Sequence, residues 1–252
     1  IAEWLGARRA HKILSGMTLA AVIFGITLSM LHQSGLGALF LMAKEKIHPL
    51  WYSEFIPVLF LVSSIFAGLS MVIFEGSISQ RVFSGQISDQ HRNEHHSIIH
   101  GLSKICTGAM FAYFFLQLLV LVHGKHWDLL NTPMGHWYLL EMIGFVLVPM
   151  VLYFYSYRAN NVFLIRLAAI LTMLGVILNR LNVTVIGFKW DMAVRYVPSW
   201  MEIVVTLTVL FTEIWIFRWV INRLPVLRES PKWVNEDKLT DKPALAKKIQ
   251  RA

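Results

Sequence analysis

Cysteine is nearly absent from this 252-residue chain, and the one present, Cys106, sits inside an apolar run. A lone thiol makes no intrachain disulfide and supplies no zinc or iron–sulfur ligand set. Charge is sparse as well. Asp, Glu, Lys and Arg make up 15% of the residues, where a soluble domain carries about 25%. Acids are the scarcer sign, 15 against 23 basic residues, for a formal net charge of +8. The basic residues punctuate apolar runs and gather at the C-terminus instead of forming one patch, so nucleic acid is not an expected partner. None of the ten histidines lies in the middle of an apolar run. A b-type haem needs two histidines on facing helices, so haem ligation by this chain is not expected. The stretch "HRNEHHSIIH" holds His91, His95, His96 and His100, but it reads as a solvated loop with no second ligand cluster nearby. No internal repeat is visible. The chain starts at Ile1, with no signal peptide ahead of it, and it is expected to be a piece of a longer protein.

Apolar sequence is abundant: 56% of residues are hydrophobic and the mean hydropathy is +0.56. That excess points to a membrane. Six apolar runs predict six helices, about 12–31, 55–74, 102–122, 137–157, 162–186 and 200–221. The second, Phe55 to Phe74, is bracketed by Glu54 and Glu75 and contains no charge. A run of that length rises about 30 Å, one hydrocarbon core. The predicted fold is all-α, a polytopic transmembrane helix bundle over residues 1–224, followed by a solvent-exposed tail over 225–252.

Lys and Arg set the orientation. Arg8, Arg9, Lys12, Arg81, Arg92, Lys104, Arg158, Arg166, Arg218, Arg223, Arg228 and Lys232 fall on one side, and Lys44, Lys46, Lys125, Arg180, Lys189 and Arg195 on the other. The richer side is expected to be cytoplasmic, which puts both chain ends inside. His32, His48, Glu54, His123, His136, Glu141, Arg180 and Glu202 then fall near outer helix ends. Trp51, Tyr52, Trp127, Trp137, Tyr138, Trp190, Tyr196 and Trp200 gather there too and read as an interfacial belt.

Arg180 carries the sharpest signal. Only thirteen uncharged residues separate it from Arg166, too few to span, so one arginine must enter the membrane. An arginine there usually faces the bundle interior, although snorkelling to the surface is the open alternative. Its candidate partners are Glu202, Glu141 and Glu54, each also explicable as an acid at a positive helix N-terminus. Glu213 lies eleven residues beyond Glu202 on nearly the same helical face, and Glu75 ends the second helix; together they offer a weak proton route. His32, Gln33 and Ser34 place imidazole, amide and hydroxyl at the end of the first helix, ahead of Gly35-Leu36-Gly37. That set suits a ring ligand bearing carbonyl or hydroxyl groups. A polar helix cap explains it equally well.

"LHQSGLGALFLMAKEKIHPLWYSEF", "FEG", "GVILNRLNVTVIGF" and "YVPSWMEIVVTLTVL" occur in this order. They resemble HybB-type subunits of the NrfD/PsrC superfamily, nearly to Pro225. The resemblance implies a quinone-interacting membrane subunit of a respiratory, hydrogenase-type oxidoreductase complex. Its quinone would be of the menaquinone type. Its partners would be an iron–sulfur subunit and a multihaem cytochrome or hydrogenase subunits, on the periplasmic side of a prokaryotic inner membrane. It also implies that these six helices are the last of about ten, with the quinone pocket mostly in the missing ones. His32 is then the best remaining quinone contact, with Gln33 and Ser34. Arg180 and the carboxylates would serve a proton path or a buried ion pair. Two rival readings stay open: a purely structural anchor, and a proton- or ion-translocating subunit using Glu75, Glu141, Glu202, Glu213 and Arg180. The latter would more often show an internal repeat or a broken mid-membrane helix.

Overall fold

A computed structural model describes residues 8–82, 89–191 and 198–223. The expected tail over 225–252 lies outside the described residues, as do Arg195 and Tyr196. The fold is all-α. Its principal helices are α1 (Arg8–Leu39), α2 (Ile56–Val82), α3 (Asp89–Gly124), α4 (Pro133–Leu140), α5 (Val148–Ala159), α6 (Val162–Leu181) and α7 (Trp200–Arg223). Six segments among the described residues are long and apolar enough to cross a membrane: Gly16–Lys46, Ile56–Arg81, His96–Gly124, Pro133–Ala159, Val162–Ile186 and Trp200–Val220. The chain is thus a polytopic membrane bundle, as its apolar runs predict.

Three helices run well past their apolar runs, and one of them, α2, continues beyond Phe74 to Val82. α1 does not end at His32; it continues through Gly35 and Gly37 to Leu39 and tightens into a 3-10 turn over Phe40–Lys46. Gly37 has a packing role there. A Cβ at this position would lie 3.0 Å from the Pro57 Cα and 3.1 Å from the Ile56 carbonyl oxygen, so its missing side chain lets α1 approach the start of α2. The expected histidine loop is also helical, because α3 begins at Asp89 and runs through His91 to His100. Polar side chains hide helix from a hydropathy reading, since backbone bonding does not need an apolar face.

The chain divides into two units. One, residues 26–197, holds a four-helix bundle in which α2 adjoins α3 and α6, and the α4–α5 rod adjoins α3 and α6. Apolar surface gains little by moving from lipid to protein, so such bundles rely on close packing and on small or polar residues between helices. The centre here fits that rule. Ser70, Cys106, Tyr153 and Ala168 are fully buried, and the Ser70 and Tyr153 hydroxyls lie 2.9 Å apart. Thr172 returns its hydroxyl proton to the Ala168 carbonyl at 2.8 Å. The buried face of α6 reads Ile165, Ala168, Ala169, Thr172, Gly175 and Asn179, a stripe with helical period. The other unit contains the first part of α1 and α7, whose apolar side chains are exposed all around, as in Leu19, Phe24, Phe211 and Trp215.

Two segments wind as π-helix, Glu141–Leu147 and Asn182–Ile186. The first has a clear cause. The Val148 N–H bonds the Ile143 carbonyl five residues back, and the next residue, Pro149, has no N–H to give. The resulting bulge presses on α6. A Cβ on Gly175 would lie 2.8 Å from the Phe145 carbonyl oxygen. Gly175→Ala should therefore cost about 1–3 kcal/mol through overpacking. Gly68→Ala, where nothing lies within 4 Å of the added carbon, should be neutral or stabilise by up to about 1 kcal/mol. Thermal unfolding of the two variants in detergent reads the contrast, and equal midpoints would contradict the close approach.

Candidate functional site

The most ordered polar grouping surrounds Glu141. Proline at the start of α4 and the π-turn at its end bring this carboxylate about 12 Å into its span, at 1.5 Å per residue. Glu141 is 3% exposed. Its Oε2 accepts from the Trp51 indole N–H at 2.8 Å and from Asn182 Nδ2 at 2.5 Å, while Oε1 accepts from Asn179 Nδ2 at 2.6 Å. Asn179 and Asn182 stand three residues apart, on one face across the α6 π-junction. Asn182 Oδ1 accepts in turn from the Trp137 indole at 2.9 Å.

Three N–H donors converge on the two oxygens, and none of them can accept a proton from a neutral carboxyl group. The arrangement fits an ionised carboxylate. Removing such a charge from water costs several kcal/mol. Three charge-assisted bonds at roughly 1.5–3 kcal/mol each are enough to offset that. A fixed anion inside the bundle is thereby tolerated without an open water channel.

Among the described residues Arg180 does not pair directly with a carboxylate, contrary to expectation. One guanidinium nitrogen donates to Asn179 Oδ1 at 3.0 Å and the other to Ser63 Oγ at 2.8 Å. Its Cζ sits 3.5 Å from the centre of the Phe60 ring. Asn179 therefore stands between the two charges, giving its oxygen to Arg180 and its amide protons to Glu141. The reason is geometric. Glu141 and Asn179 both face the bundle interior, whereas Arg180, one residue on, turns about 100° toward α2 and its phenylalanine. Arg180 is half-buried there, so neither snorkelling nor a salt bridge describes it.

The loop after α1 closes this end of the bundle. His48 N–H bonds the Gly187 carbonyl at 2.8 Å and Lys189 N–H bonds the Lys46 carbonyl at 2.6 Å, a single antiparallel bridge between Ile47 and Phe188. His48 is buried; its Nδ1 accepts from the Leu50 N–H at 3.2 Å and its ring meets Trp51 and Trp190 edge-on. Burial, and secondly the charge of His126, hold its pKa below the ordinary histidine value. Neutral imidazole is what the Leu50 bond requires. Trp51 and Tyr138, expected in the interfacial belt, are instead buried and meet ring edge to face at 5.7 Å. Trp127, Trp137, Trp190 and Trp200 are exposed, as belt residues would be. Beneath the loop, Gln117 donates to the Tyr113 hydroxyl at 2.9 Å. A cavity of about 10 Å³ lies between Ser63, Tyr113, Glu141 and Asn179, room for about one water.

The other expected site residues are not gathered here. Glu54 is exposed just before α2, and Glu75, expected to end the second helix, is exposed within α2, which continues to Val82. Glu202 lies at the start of α7, where it accepts from the Ser199 N–H at 3.1 Å while Ser199 Oγ accepts from the Glu202 N–H. That is a capping box. Glu213 is exposed further along α7. His32 is exposed on α1, with Gln33 and Ser34 half-buried beside it. His32 stands about 140° around the helix from the buried Gly37, at 3.6 residues per turn, so it lies on the face of α1 turned away from α2. Sequence reasoning missed Trp51, Asn179 and Asn182 as ligands of the buried carboxylate. The available signal was two amides at helical spacing on either side of Arg180 in a long apolar run.

Trp51→Phe should cost about 1–3 kcal/mol, the scale of one unmet buried hydrogen-bonding group. Glu141→Gln should cost more, on the order of 3–5 kcal/mol, because the charge is lost and its NH2 replaces one acceptor oxygen, facing either the Asn179 donor or the Trp51 and Asn182 donors. Melting curves of the detergent-solubilised protein test the order. A Glu141→Gln variant that melts with the wild type would show that the negative charge does not hold the network together.

The family described as "Polysulphide reductase, NrfD" matches residues 5–190. A protein of Nitratidesulfovibrio vulgaris strain Hildenborough is 41% identical over 233 residues, 92% of this chain and 60% of its own length. A probable Ni/Fe-hydrogenase 2 b-type cytochrome subunit of Escherichia coli strain K12 is 26% identical over 229 residues, 89% of this chain and 57% of its own length. The chain thus spans about three-fifths of the curated relatives it matches. No solved structure matches. The family match covers most of the chain, including α1 to α6 with Glu141, Asn179 and Asn182, so the chain belongs to the NrfD, polysulphide reductase, family.

Proposed function

We propose that the chain is part of a quinone-interacting membrane subunit of a respiratory oxidoreductase complex. The observation that carries this reading is the position of His32 on the face of α1 turned away from α2, in a chain of the NrfD family. Imidazole, amide and hydroxyl at His32, Gln33 and Ser34 supply the donors that quinone carbonyl oxygens accept. A quinone bound there supplies a two-electron, two-proton couple. Imidazole exchanges protons near neutral pH, and Gln33 and Ser34 orient the ring oxygens. The pocket would be completed by helices of the longer subunit. With one cysteine, this chain has no ligand set for a cluster, so electrons would pass to or from an iron–sulfur partner, beside a multihaem cytochrome or hydrogenase subunit. The hydrogenase name of one relative supports that class of partner.

A structural-anchor reading is favoured by one observation of its own. Both Glu141 oxygens accept from protein donors that join the loop to α6, which supports reading that network as a support for the loop. The two readings combine: the four-helix bundle holds shape while the free face of α1 carries the exchange.

The membrane is the prokaryotic inner membrane, with both chain ends in the cytoplasm, on the basis of the Lys and Arg distribution. A reporter fused after the C-terminal tail should therefore fluoresce as a green fluorescent protein fusion and be inactive as an alkaline phosphatase fusion. The reverse pattern would invert the topology and move His32 to the cytoplasmic side.

His32→Ala should lower quinone turnover per assembled complex at least tenfold, the lower range for loss of a proton-exchanging group being about 10²-fold when chemistry limits. Assembly should be unchanged, because α1 continues through this position as regular helix. Turnover and complex yield are measured on the same preparation. Unchanged turnover per complex would remove His32 from the quinone site and leave the anchor reading.

A further inference from the structure

An apolar groove opens on the lipid-facing side of the bundle between α3 and α5. It holds about 360 Å³ and is lined by Thr107, Gly108, Phe111, Met150, Val151 and Phe154. Its wall offers no free donor, since the Thr107 hydroxyl is turned inward to the Ser103 carbonyl at 2.9 Å. Gly108 makes the opening: a Cβ built there meets nothing within 4 Å.

Two cations stand at one mouth of the groove. Lys104 is one helical turn before Gly108 on α3, and its Nζ crosses to α5, 6.0 Å from the centre of the Tyr157 ring. Arg158 is one turn beyond Phe154 on α5, and its Cζ lies 5.0 Å from that groove-wall ring. Both cations are exposed, and neither has an acidic partner among the described residues. No acid occurs on α3 between His95 and its end at Gly124, and Glu141 is the nearest acid preceding Arg158 on its own span. The mouth is therefore positive, at the level where Tyr157 marks the membrane interface, and everything below it is apolar.

We propose that this groove is a binding site for one anionic phospholipid, with an acyl chain lying along Gly108 and Phe111 and the phosphate held between Lys104 and Arg158. Charge complementarity selects the occupant. A neutral isoprenoid or a zwitterionic lipid fills the groove equally well but leaves the paired cations without a net countercharge. An apolar transmembrane helix laid across the groove leaves the same two cations without a countercharge. The site stands apart from His32 and from Glu141, and it does not depend on the quinone reading.

The test is native mass spectrometry of the detergent-purified full-length subunit in its complex, titrated with phosphatidylglycerol or with phosphatidylcholine of the same acyl chains. Wild type should retain one phosphatidylglycerol more tightly than phosphatidylcholine. Lys104→Gln with Arg158→Gln should erase the preference, each cation being worth about fivefold near a membrane surface, whereas Lys104→Arg should keep it. Gly108→Leu should remove the tight lipid by filling the groove. Gly68→Leu, on the exposed surface of α2 and equally free of neighbours, should not. Equal retention of the two lipids by wild type, an unchanged phosphatidylglycerol site in Gly108→Leu, or displacement of the lipid by a menaquinone analogue would each overturn the proposal. A matching melting temperature for Gly108→Leu and wild type separates lost binding from lost fold.

Discussion

Everything at the loop-bearing end of the four-helix bundle depends on one carboxylate being held inside it. Glu141 draws Trp51 from the loop and Asn179 and Asn182 from α6 onto two oxygen atoms. These donors come from segments far apart in sequence, so the carboxylate acts as a cross-link between loop, α4 and α6. Dispersion alone gives little preference for one helix register over another in lipid. A buried anion does give one, because any slip of α6 by one residue would turn both amides away from it.

Two π-segments adjoin this geometry. Glu141 opens one and Asn182 opens the other. Asn179 and Asn182 are joined by regular α-helix, about 60° apart around α6, which keeps both amides on the carboxylate, and the π-turn begins only at Asn182. The unwinding that starts at Glu141 pushes the Phe145 backbone against Gly175, so a residue without a side chain is needed opposite the bulge. Pro149, the π-bulge and Gly175 are consequently one arrangement rather than independent choices.

Much of the fold was legible in the sequence because apolar run length is a direct consequence of membrane thickness. The six spans and the intrusion of Arg180 both follow from counting residues between charges. The helical extension through His32 to Leu39 was not legible, since hydropathy registers the solvent a residue prefers and not whether its backbone is bonded. The partner of Arg180 was misjudged for a related reason. Charge count pointed to a direct bond with Glu141 or Glu202, but a one-residue offset on a helix is a rotation of about 100°, and Asn179 takes the intervening position. Trp51 and Tyr138 were assigned to an interfacial belt because aromatic residues near span ends usually lie there. Burial beneath a loop cannot be seen in a pattern that has no tertiary contacts.

A division of labour follows from where polar groups remain available. Inside the bundle the strongest acceptor is filled and the guanidinium is shared between an amide, a hydroxyl and an aromatic ring. Such a network resists change, because moving any member exposes another buried polar group. Chemistry that moves protons needs the opposite, a group able to exchange partners. Among the residues proposed for function, His32 has that freedom, being exposed on the face of α1 away from α2. On the proposed quinone reading, rigidity at Glu141 leaves the exchange to His32 on α1. The loop anchored by Trp51 leads directly out of α1, and Gly37 seats that helix against α2 before the loop begins.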